Sequence, residues 1–552
     1  MGDQLSAEFV GYTKTQVAVT NSGDITILLN VSVQTMNDVV VTGYGTQKRK
    51  DLTGAVSSVN LENTPLAILP NVNLLDALKG SMPGFDIGAV TAAGSNPSIS
   101  IRGQNSIRAS NTPLVILDGA VFLGSFNELN PADIATVDIL KDASSTAIYG
   151  SLAANGVILI TTKRGKSEKP VISFTATGGV QTYTNRPDML SPEGYIQLRK
   201  DRYMADNPSG VYNINTNLAP YELEAYNKNL TVDWFDEITR VAPFRNFTLS
   251  VSGASSRFNY YISGNYMNQK GIVVGDQFHK YSFLGKLEAR ITDWLRTGFN
   301  LGFTAKNADG SPADFNLGTI SSPYGYKYVH DRGTTAPGFE NFPDQIERYP
   351  QGQTTTSNPL WRTQQYNEDR NQNYRSISFA RIDVPWVKGL SYTFNYSLNR
   401  WEGHSANFQS ENMFINTMLL SELASPSSHL VDANGNKSNP TRTDWYLNHL
   451  VNFKRLVGEH SFDVTLLQEE QERKTTNMSI SAKDFSGTGT SVLGSNALEL
   501  GNPANYTVNT DSRQLRQIAS MARLNYIFKN RYHASMSIRQ DGYSGYAEGH
   551  KY

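Results

Sequence analysis

The fold is decided by residues 279–306, which read HKYSFLGKLEARITDWLRTGFNLGFTAK. Apolar side chains such as Tyr281 and Phe283 alternate with polar ones such as Lys280 and Ser282, and the pattern resumes after a short polar turn at residues 292–293. Because successive side chains of a β-strand point to opposite faces, each half predicts a long strand with one apolar and one polar face.

The same alternation recurs through most of the chain. It predicts eleven long strands at residues 171–183, 244–255, 257–268, 279–291, 294–306, 374–384, 389–401, 443–455, 459–474, 513–528 and 531–540. Strands in globular proteins usually have about five or six residues, so this length is itself informative.

Two architectures fit such strands. A transmembrane antiparallel β-barrel places lipid on the apolar face and a wet lumen on the polar face, whereas a large water-soluble β-sandwich also alternates. Aromatic residues near the strand ends favour the barrel, as do connections that alternate between short (388–389) and long (307–372 and 402–442). The fold class predicted is therefore mainly β, a transmembrane antiparallel β-barrel.

The amino-acid composition argues against several classes of function. The 552 residues carry a net charge of −1, which argues against a general nucleic-acid binder, and no transmembrane helix is predicted. The absence of cysteine excludes a disulfide scaffold, a thiolate metal site and a cysteine nucleophile. The eight histidines show no metal-ligand spacing, so we predict no enzyme, no metal and no cofactor.

A different pattern precedes the long strands. Residues 48–166 contain short apolar runs, frequent glycines and short helical candidates at 74–80 and 143–149, which predict a small α/β domain with a few helices. Strand pieces before Val31 indicate the last strands of a sandwich. The chain starts without a signal peptide and ends just after a strand. We therefore expect a fragment that begins inside a longer protein and stops before its barrel closes.

Five motifs in this order carry a family resemblance. They are DVVVTGYGTQK (38–48), DLTGAV (51–56), PSISIRG (97–103), PLVILDG (113–119) and LKDASSTAIYG (140–150). With them the chain resembles SusC/RagA-type TonB-dependent outer-membrane transporters over essentially its whole length.

The resemblance implies an organisation. Residues 1–35 would be the end of a carboxypeptidase-regulatory-like β-sandwich, 36–47 the Ton box and linker, 48–166 a plug domain, and 167–552 the N-terminal half of a barrel with long extracellular loops. The family barrel has 22 strands, of which about half are present here.

The resemblance also implies a function: active import of oligosaccharides or peptides across the bacterial outer membrane. The implied partners are TonB, indirectly ExbB and ExbD, a SusD-like surface lipoprotein and outer-membrane lipid, with no nucleic acid. Alternatives left open are an outer-membrane receptor acting mainly in signalling, a non-functional truncated transporter, and a secreted β-rich adhesin or hydrolase.

Three groups of site residues follow from the resemblance. The Ton box, expected to add as a strand to TonB, is Asp38, Val39, Val40, Val41, Thr42, Gly43 and Tyr44. The plug motif residues are Arg102, Gly103, Asp118, Gly119, Tyr149 and Gly150. Aromatic residues of a long loop that could face a ligand are Tyr324, Tyr326, Tyr328 and Trp361.

Each group has a plainer interpretation. Residues 38–44 could form an ordinary plug strand, and the loop aromatics could be interfacial residues. Arg102 and Asp118 could hold charges of the barrel wall, although local hydrogen bonds at strand ends are preferred. The glycines are better explained by backbone conformation than by ligand contact.

Overall fold

The computed structural model describes residues 4–7, 15–18, 39–42, 45–48 and 56–547, except for residues 63–72, 91, 109, 143–145, 333–345, 348–349, 353–356, 410–432, 486–493 and 530. The chain forms two compact units, Met1–Thr53 and Gly54–Tyr552.

In the part of the N-terminal unit that the structure describes, the strands form two antiparallel pairs. Strand β1 (Gln4–Ala7) pairs with β2 (Thr15–Ala18), and β3 (Val39–Thr42) pairs with β4 (Gly45–Lys48). The strand piece expected at residues 25–29 lies outside the described residues, and the sandwich remains a prediction.

The next segment, residues 56–166, is called the plug below. Its strands are β5 (Val56–Asn60), β6 (Phe85–Ile87), β7 (Ile99–Ile101), β8 (Leu114–Leu117), β9 (Ala120–Val121), β10 (Ile134–Leu140) and β11 (Val157–Thr162). Five of them form a sheet in the order β5-β10-β11-β8-β9, in which β11 and β8 are parallel, and β6 pairs with β7.

Helical turns complete the plug. The helix expected at 74–80 spans Leu74–Leu78, and the Asn73 side chain caps it by accepting a hydrogen bond from Leu75 N–H. Three 3₁₀ segments follow at Phe126–Glu128, Pro131–Asp133 and Ala147–Ala153. Leu74, Val137 and Ile158 have no exposed surface and lie in one apolar core, which makes the plug a packed α/β body.

Twelve further strands form one antiparallel sheet, called the wall below. They are β12 (Val171–Gln181), β13 (Ala242–Ala254), β14 (Phe258–Lys270), β15 (Gln277–Arg290), β16 (Leu295–Asn307), β17 (Tyr366–Asp383), β18 (Leu390–Gln409), β19 (Asn434–Ser438), β20 (Thr441–Val457), β21 (His460–Lys483), β22 (Thr507–Phe528) and β23 (Tyr532–Tyr543). Each strand pairs with its sequence neighbour, except that β19 and β20 both pair with β18 and β21.

Eleven of these strands match the predicted ones, and so do their faces. Tyr281 and Phe283 are 55% and 46% exposed, whereas Lys280 and Lys286 on the opposite face of the same strand are 1% and 7% exposed. The polar face is buried because it is turned toward the plug. The mainly β, plug-containing fold class is confirmed.

Strand ends differ from the prediction, and one strand was missed. Strands β17, β18, β21 and β22 run further than expected, into sequence in which the alternation of apolar and polar residues disappears. Strand β19 reads NGNKS, a composition typical of a turn, and its pairing with two neighbours forms it nonetheless.

One end of the wall carries the long connections and the other end carries short turns. Helices in the long connections span Pro192–Asp206, Ile214–Asn217, Pro220–Asn227, Trp234–Ile238 and Phe315–Ile320, with 3₁₀ segments at Val329–Arg332, Trp361–Gln364, Gly494–Leu500 and Pro503–Asn505. Among the described residues, the helices are too short and too polar to cross a membrane.

Candidate functional site: the interface between plug and wall

The motif LDG forms the tight turn between β8 and β9. Asp118 and Gly119 have φ angles of 48° and 87°, and Leu117 pairs with Ala120 across the turn. Asp-Gly favours such two-residue hairpins, because both central positions need a left-handed backbone. The turn places the Asp118 carboxylate beside Thr162, the last residue of the plug-sheet strand β11.

Asp118 bonds both within the plug and across to the wall. It accepts hydrogen bonds from Thr162 N–H at 3.0 Å and from the Thr162 hydroxyl at 2.6 Å. From the wall, Lys286 Nζ lies 3.2 Å from Asp118 Oδ1, and Asn300 Nδ2 donates to Oδ2 at 2.7 Å. The local bond preferred from sequence is present, and the wall contact is present beside it.

The environment of Asp118 keeps it ionised. Burial alone would raise the pKa of this carboxyl, but the Lys286 ammonium and the Thr162 hydrogen bonds outweigh burial and lower it below its ordinary value. A buried, paired charge therefore joins plug and wall.

A second contact surrounds Glu128, which is 6% exposed. Lys306 Nζ lies 3.6 Å from Glu128 Oε1, and Asn373 Nδ2 donates to Oε2 at 2.8 Å. The ammonium of Lys280 donates to the backbone carbonyl of Asn127 at 3.1 Å. Three wall strands thus hold one 3₁₀ turn of the plug by its charge and its carbonyls.

Asp133 makes a third contact of different character. The hydroxyl of Tyr261 on β14 donates to Asp133 Oδ1 at 2.8 Å. Burial raises the pKa of Asp133, because the hydrogen bonds it accepts and the more distant Lys163 compensate incompletely. The interface therefore contains a carboxylate that burial disfavours in its ionised form.

The motif IYG meets the last wall strand. Arg539 Nη1 donates to the Ile148 carbonyl at 2.7 Å, while Arg539 also pairs with Glu469 and with Asp541. Gly150 has φ of 66°, and a Cβ there would lie 2.4 Å from Arg539 Nε, so the close approach requires glycine. Tyr149 is 4% exposed, and burial raises the pKa of its phenol.

Arg102 forms an ion pair within the plug. Its guanidinium donates to Asp142 Oδ1 at 2.7 Å, and both residues belong to the plug. Arg102 and Gly103 have φ of 59° and 89°, which explains the glycine by backbone conformation.

The Ton box candidate lies partly on a described strand. Val39–Thr42 is β3, whose partner is β4, while Asp38, Gly43 and Tyr44 lie outside the described residues. Its role in binding TonB stays a prediction.

The four loop aromatics separate into two pairs. Tyr324 and Tyr326 are 4% and 1% exposed, and they pack edge-on against Tyr226 and Tyr221, so they are core residues of the loop. Tyr328 and Trp361 are half-buried, and contact with a ligand stays a prediction for them.

Sequence reasoning did not single out Glu128, Lys306 or Arg375 as contact residues. A usable signal existed, because basic side chains occupy the polar face of the wall strands at regular steps. Arg375 is an example of such a side chain: it is half-buried, with its guanidinium carbon 5.3 Å from the centroid of the Phe122 ring of the plug. Among the described residues, no group of three or more His, Asp or Glu is placed to hold a metal ion.

Comparisons with known proteins find similarity to TonB-dependent receptors. Residues 48–157 match the TonB-dependent receptor plug domain family. TonB-dependent receptor P26 of Formosa agariphila is 30% identical over 559 aligned residues, covering 100% of this chain and 52% of that protein. TonB-dependent receptor SusC of Bacteroides thetaiotaomicron is 31% identical over 291 residues, covering 51% of this chain and 27% of that protein.

Solved structures share the fold. The RagAB peptide importer in its closed-closed state superposes with a TM-score of 0.73 at 23% identity, covering 90% of this chain and 56% of that one. The chain spans about half the length of the first curated relatives it matches.

Proposed function

Because the chain belongs to the SusC/RagA family of TonB-dependent outer-membrane transporters, we propose that the protein carrying it imports oligosaccharides or peptides across the bacterial outer membrane. TonB would supply the energy through the Ton box, and a SusD-like surface lipoprotein would deliver the substrate.

The observation that carries the proposal is the polar character of the interface between plug and wall. Its contacts are ion pairs and hydrogen bonds at Asp118, Glu128, Asp133 and Ile148. Water can replace such bonds at a modest net cost, about 0.5–1.5 kcal/mol for a neutral hydrogen bond and about 1.5–3 kcal/mol for one to a charged group, whereas exposing an apolar interface costs about 25 cal/mol per Å². A plug held this way can be displaced by a pull and can return.

The pull would act on residues 38–44. A strand can add to a partner's sheet through its backbone N–H and C=O groups, and three consecutive valines favour the extended conformation that this requires.

The experiment substitutes the centre of that strand in the full-length protein. Val40→Pro removes the backbone N–H and fixes φ, so strand addition to TonB should fail, whereas the matched control Val40→Thr keeps both the N–H and the β-branch. Uptake of labelled oligopeptides and oligosaccharides is measured in cells with and without TonB. We expect Val40→Pro to fall to the rate of cells lacking TonB and Val40→Thr to match the wild type.

Two results would count against the proposal. One is uptake by the wild type that does not depend on TonB. The other is a Val40→Pro variant that reaches the outer membrane in normal amount and still transports at the wild-type rate.

A further inference from the structure

A cavity of about 420 Å³ lies between plug and wall, at the end of the wall that carries the long connections. The plug contributes Asn73, Asp76 and the loop Ala92–Ser95, and the wall contributes Gln181, Gln269 and Phe278 with the neighbouring Asp276. The cavity has the size of a small-molecule site. It is bounded by the plug and by the wall, and these two parts would have to separate during import.

The described lining of the cavity carries negatively charged side chains but no positively charged ones. Two carboxylates, Asp76 and Asp276, belong to the lining, and no Lys or Arg is found among the described lining residues. Amide side chains supply most of the remaining polar groups. The described lining contains the aromatic ring of Phe278, and Gly94 packs against that ring. The described lining residues therefore offer no free aromatic face on which a sugar ring could stack.

The positively charged neighbours of the two carboxylates do not fully offset the cost of burying their negative charge. Burial raises the pKa of Asp76 despite Lys79, and it raises the pKa of Asp276 despite the hydrogen bond from Ala93 and the nearby Arg240. Arg240 directs its guanidinium to the backbone carbonyls of Gly271 and Asp276. A cationic ligand would supply the compensation that these neighbours do not.

Asp276 also anchors the plug. Ala93 N–H donates to Asp276 Oδ2 at 2.8 Å, and Gly94 N–H donates to Gln269 Oε1 at 3.1 Å. From the plug side, Asn127 Nδ2 donates to the Gly94 carbonyl at 2.6 Å. A ligand bound to Asp276 would therefore contact a group that holds plug and wall together.

We propose that this cavity binds the ammonium group of an amine-bearing substrate, the peptide class among the substrates considered above, through Asp76 and Asp276. The proposal rests on the proposed function, because it assigns the substrate class at the plug of the same importer. The amide N–H groups of Gln181 in the lining would donate hydrogen bonds to carbonyls of the peptide backbone that follows the ammonium.

The test measures binding to the full-length protein in detergent by calorimetry with three probes: glycylglycine amide, its N-acetylated form, and maltose. The variant Asp76→Asn/Asp276→Asn keeps side-chain shape and an oxygen that can accept from Ala93 N–H. The matched control is Asp293→Asn, at a 98% exposed carboxylate of a short turn at the opposite end of the wall.

We expect glycylglycine amide to bind the wild type and the control equally, and to bind the double variant about a hundredfold more weakly, since a hydrogen-bonded charge contributes roughly tenfold per group. The acetylated probe should bind all three proteins as weakly as the double variant binds the amine. An unchanged unfolding temperature of the double variant shows that the loss is not a folding defect.

Equal binding of the amine and acetylated probes would overturn the proposal, as would tighter binding of maltose than of the amine. TonB-dependent uptake by the wild type is scored separately. Amine binding without such uptake would leave the site standing and remove the proposed function. Uptake without amine binding would do the reverse.

Discussion

Two aspartates of the plug differ in how the burial of their negative charge is compensated. Asp118 faces the Lys286 ammonium at 3.2 Å, while Asp133 receives a neutral hydroxyl from Tyr261. We expect Asp118→Asn to destabilise the protein by about 3–5 kcal/mol, because it leaves the Lys286 charge buried without its counter-ion. Asp133→Asn should be neutral or stabilising at pH 7, because it removes a charge that burial disfavours. Unfolding temperatures followed by tryptophan fluorescence distinguish the two.

The pH dependence of the two sites gives the control, and its sign follows from linkage. The folded-state pKa of Asp118 is lowered, so its contribution is present above the ordinary value of 3.8 and is lost as the pH falls through the folded-state pKa. The folded-state pKa of Asp133 is raised, so the wild type gains stability from this group as the pH falls through that pKa toward 3.8. Asp133→Asn should lose that gain. An equal pH response of both variants would contradict this assignment.

At this scale the sequence predicted conformations better than partners. Asp-Gly is a dipeptide that favours tight turns, and Asp118-Gly119 directly follows a strand. The backbone geometry of this turn is therefore a local property of the sequence. The contact between Glu128 and Lys306 joins residues far apart in the chain, and no local rule selects one lysine of the polar face over another.

The strands were the most predictable elements. Period-two alternation reports the environment of each face directly, and the exposure of Tyr281 against Lys280 matches it. The alternation pattern did not predict the extension of β22 back to Thr507 or the short strand β19. Both form because they pair with neighbouring strands and not because of their own composition. Tertiary pairing overrode local propensity at both places.

The loop Ala92–Ser95 depends on one glycine. Gly94 has φ of 66°, and a Cβ there would lie 2.1 Å from Cδ2 of Phe278. We expect Gly94→Ala to displace the loop from the wall at a cost of about 1–3 kcal/mol, in addition to its backbone strain. Amide hydrogen exchange at Ala93 and Gly94 should accelerate, because both amides would lose their acceptors on the wall.

A matched glycine separates the clash from the strain. Gly84 has φ of 70°, and a Cβ there meets nothing within 4 Å among the described residues. Gly84→Ala should show the backbone cost alone and leave exchange at Ala93 unchanged. Combining Gly94→Ala with Phe278→Ala should return exchange toward the wild-type rate. No rescue would mean that the Phe278 ring does not set the position of the loop.

For the whole molecule, the plug is bonded to the wall at places spread over several strands. Asp118 meets β15 and β16, Glu128 meets β16 and β17, and Ile148 meets β23. Contacts so distributed cannot be released one at a time without strain on the others. Under the proposed function, import would therefore require collective displacement or unfolding of part of the plug.

The absence of cysteine allows a direct test of that requirement. Asn130 of the plug lies beside Thr248 of β13, with Nδ2 and Oγ1 3.4 Å apart, so Asn130→Cys/Thr248→Cys should form a disulfide that locks plug to wall. We expect oxidised cells to lose TonB-dependent uptake, reduced cells to regain it, and substrate binding to persist in both. The control Asn395→Cys/Asn448→Cys links paired residues of β18 and β20 within the wall and should transport in either state. Full transport by the locked plug would mean that the segment around residue 130 stays in place during import, and the pull would then have to act on another part of the plug.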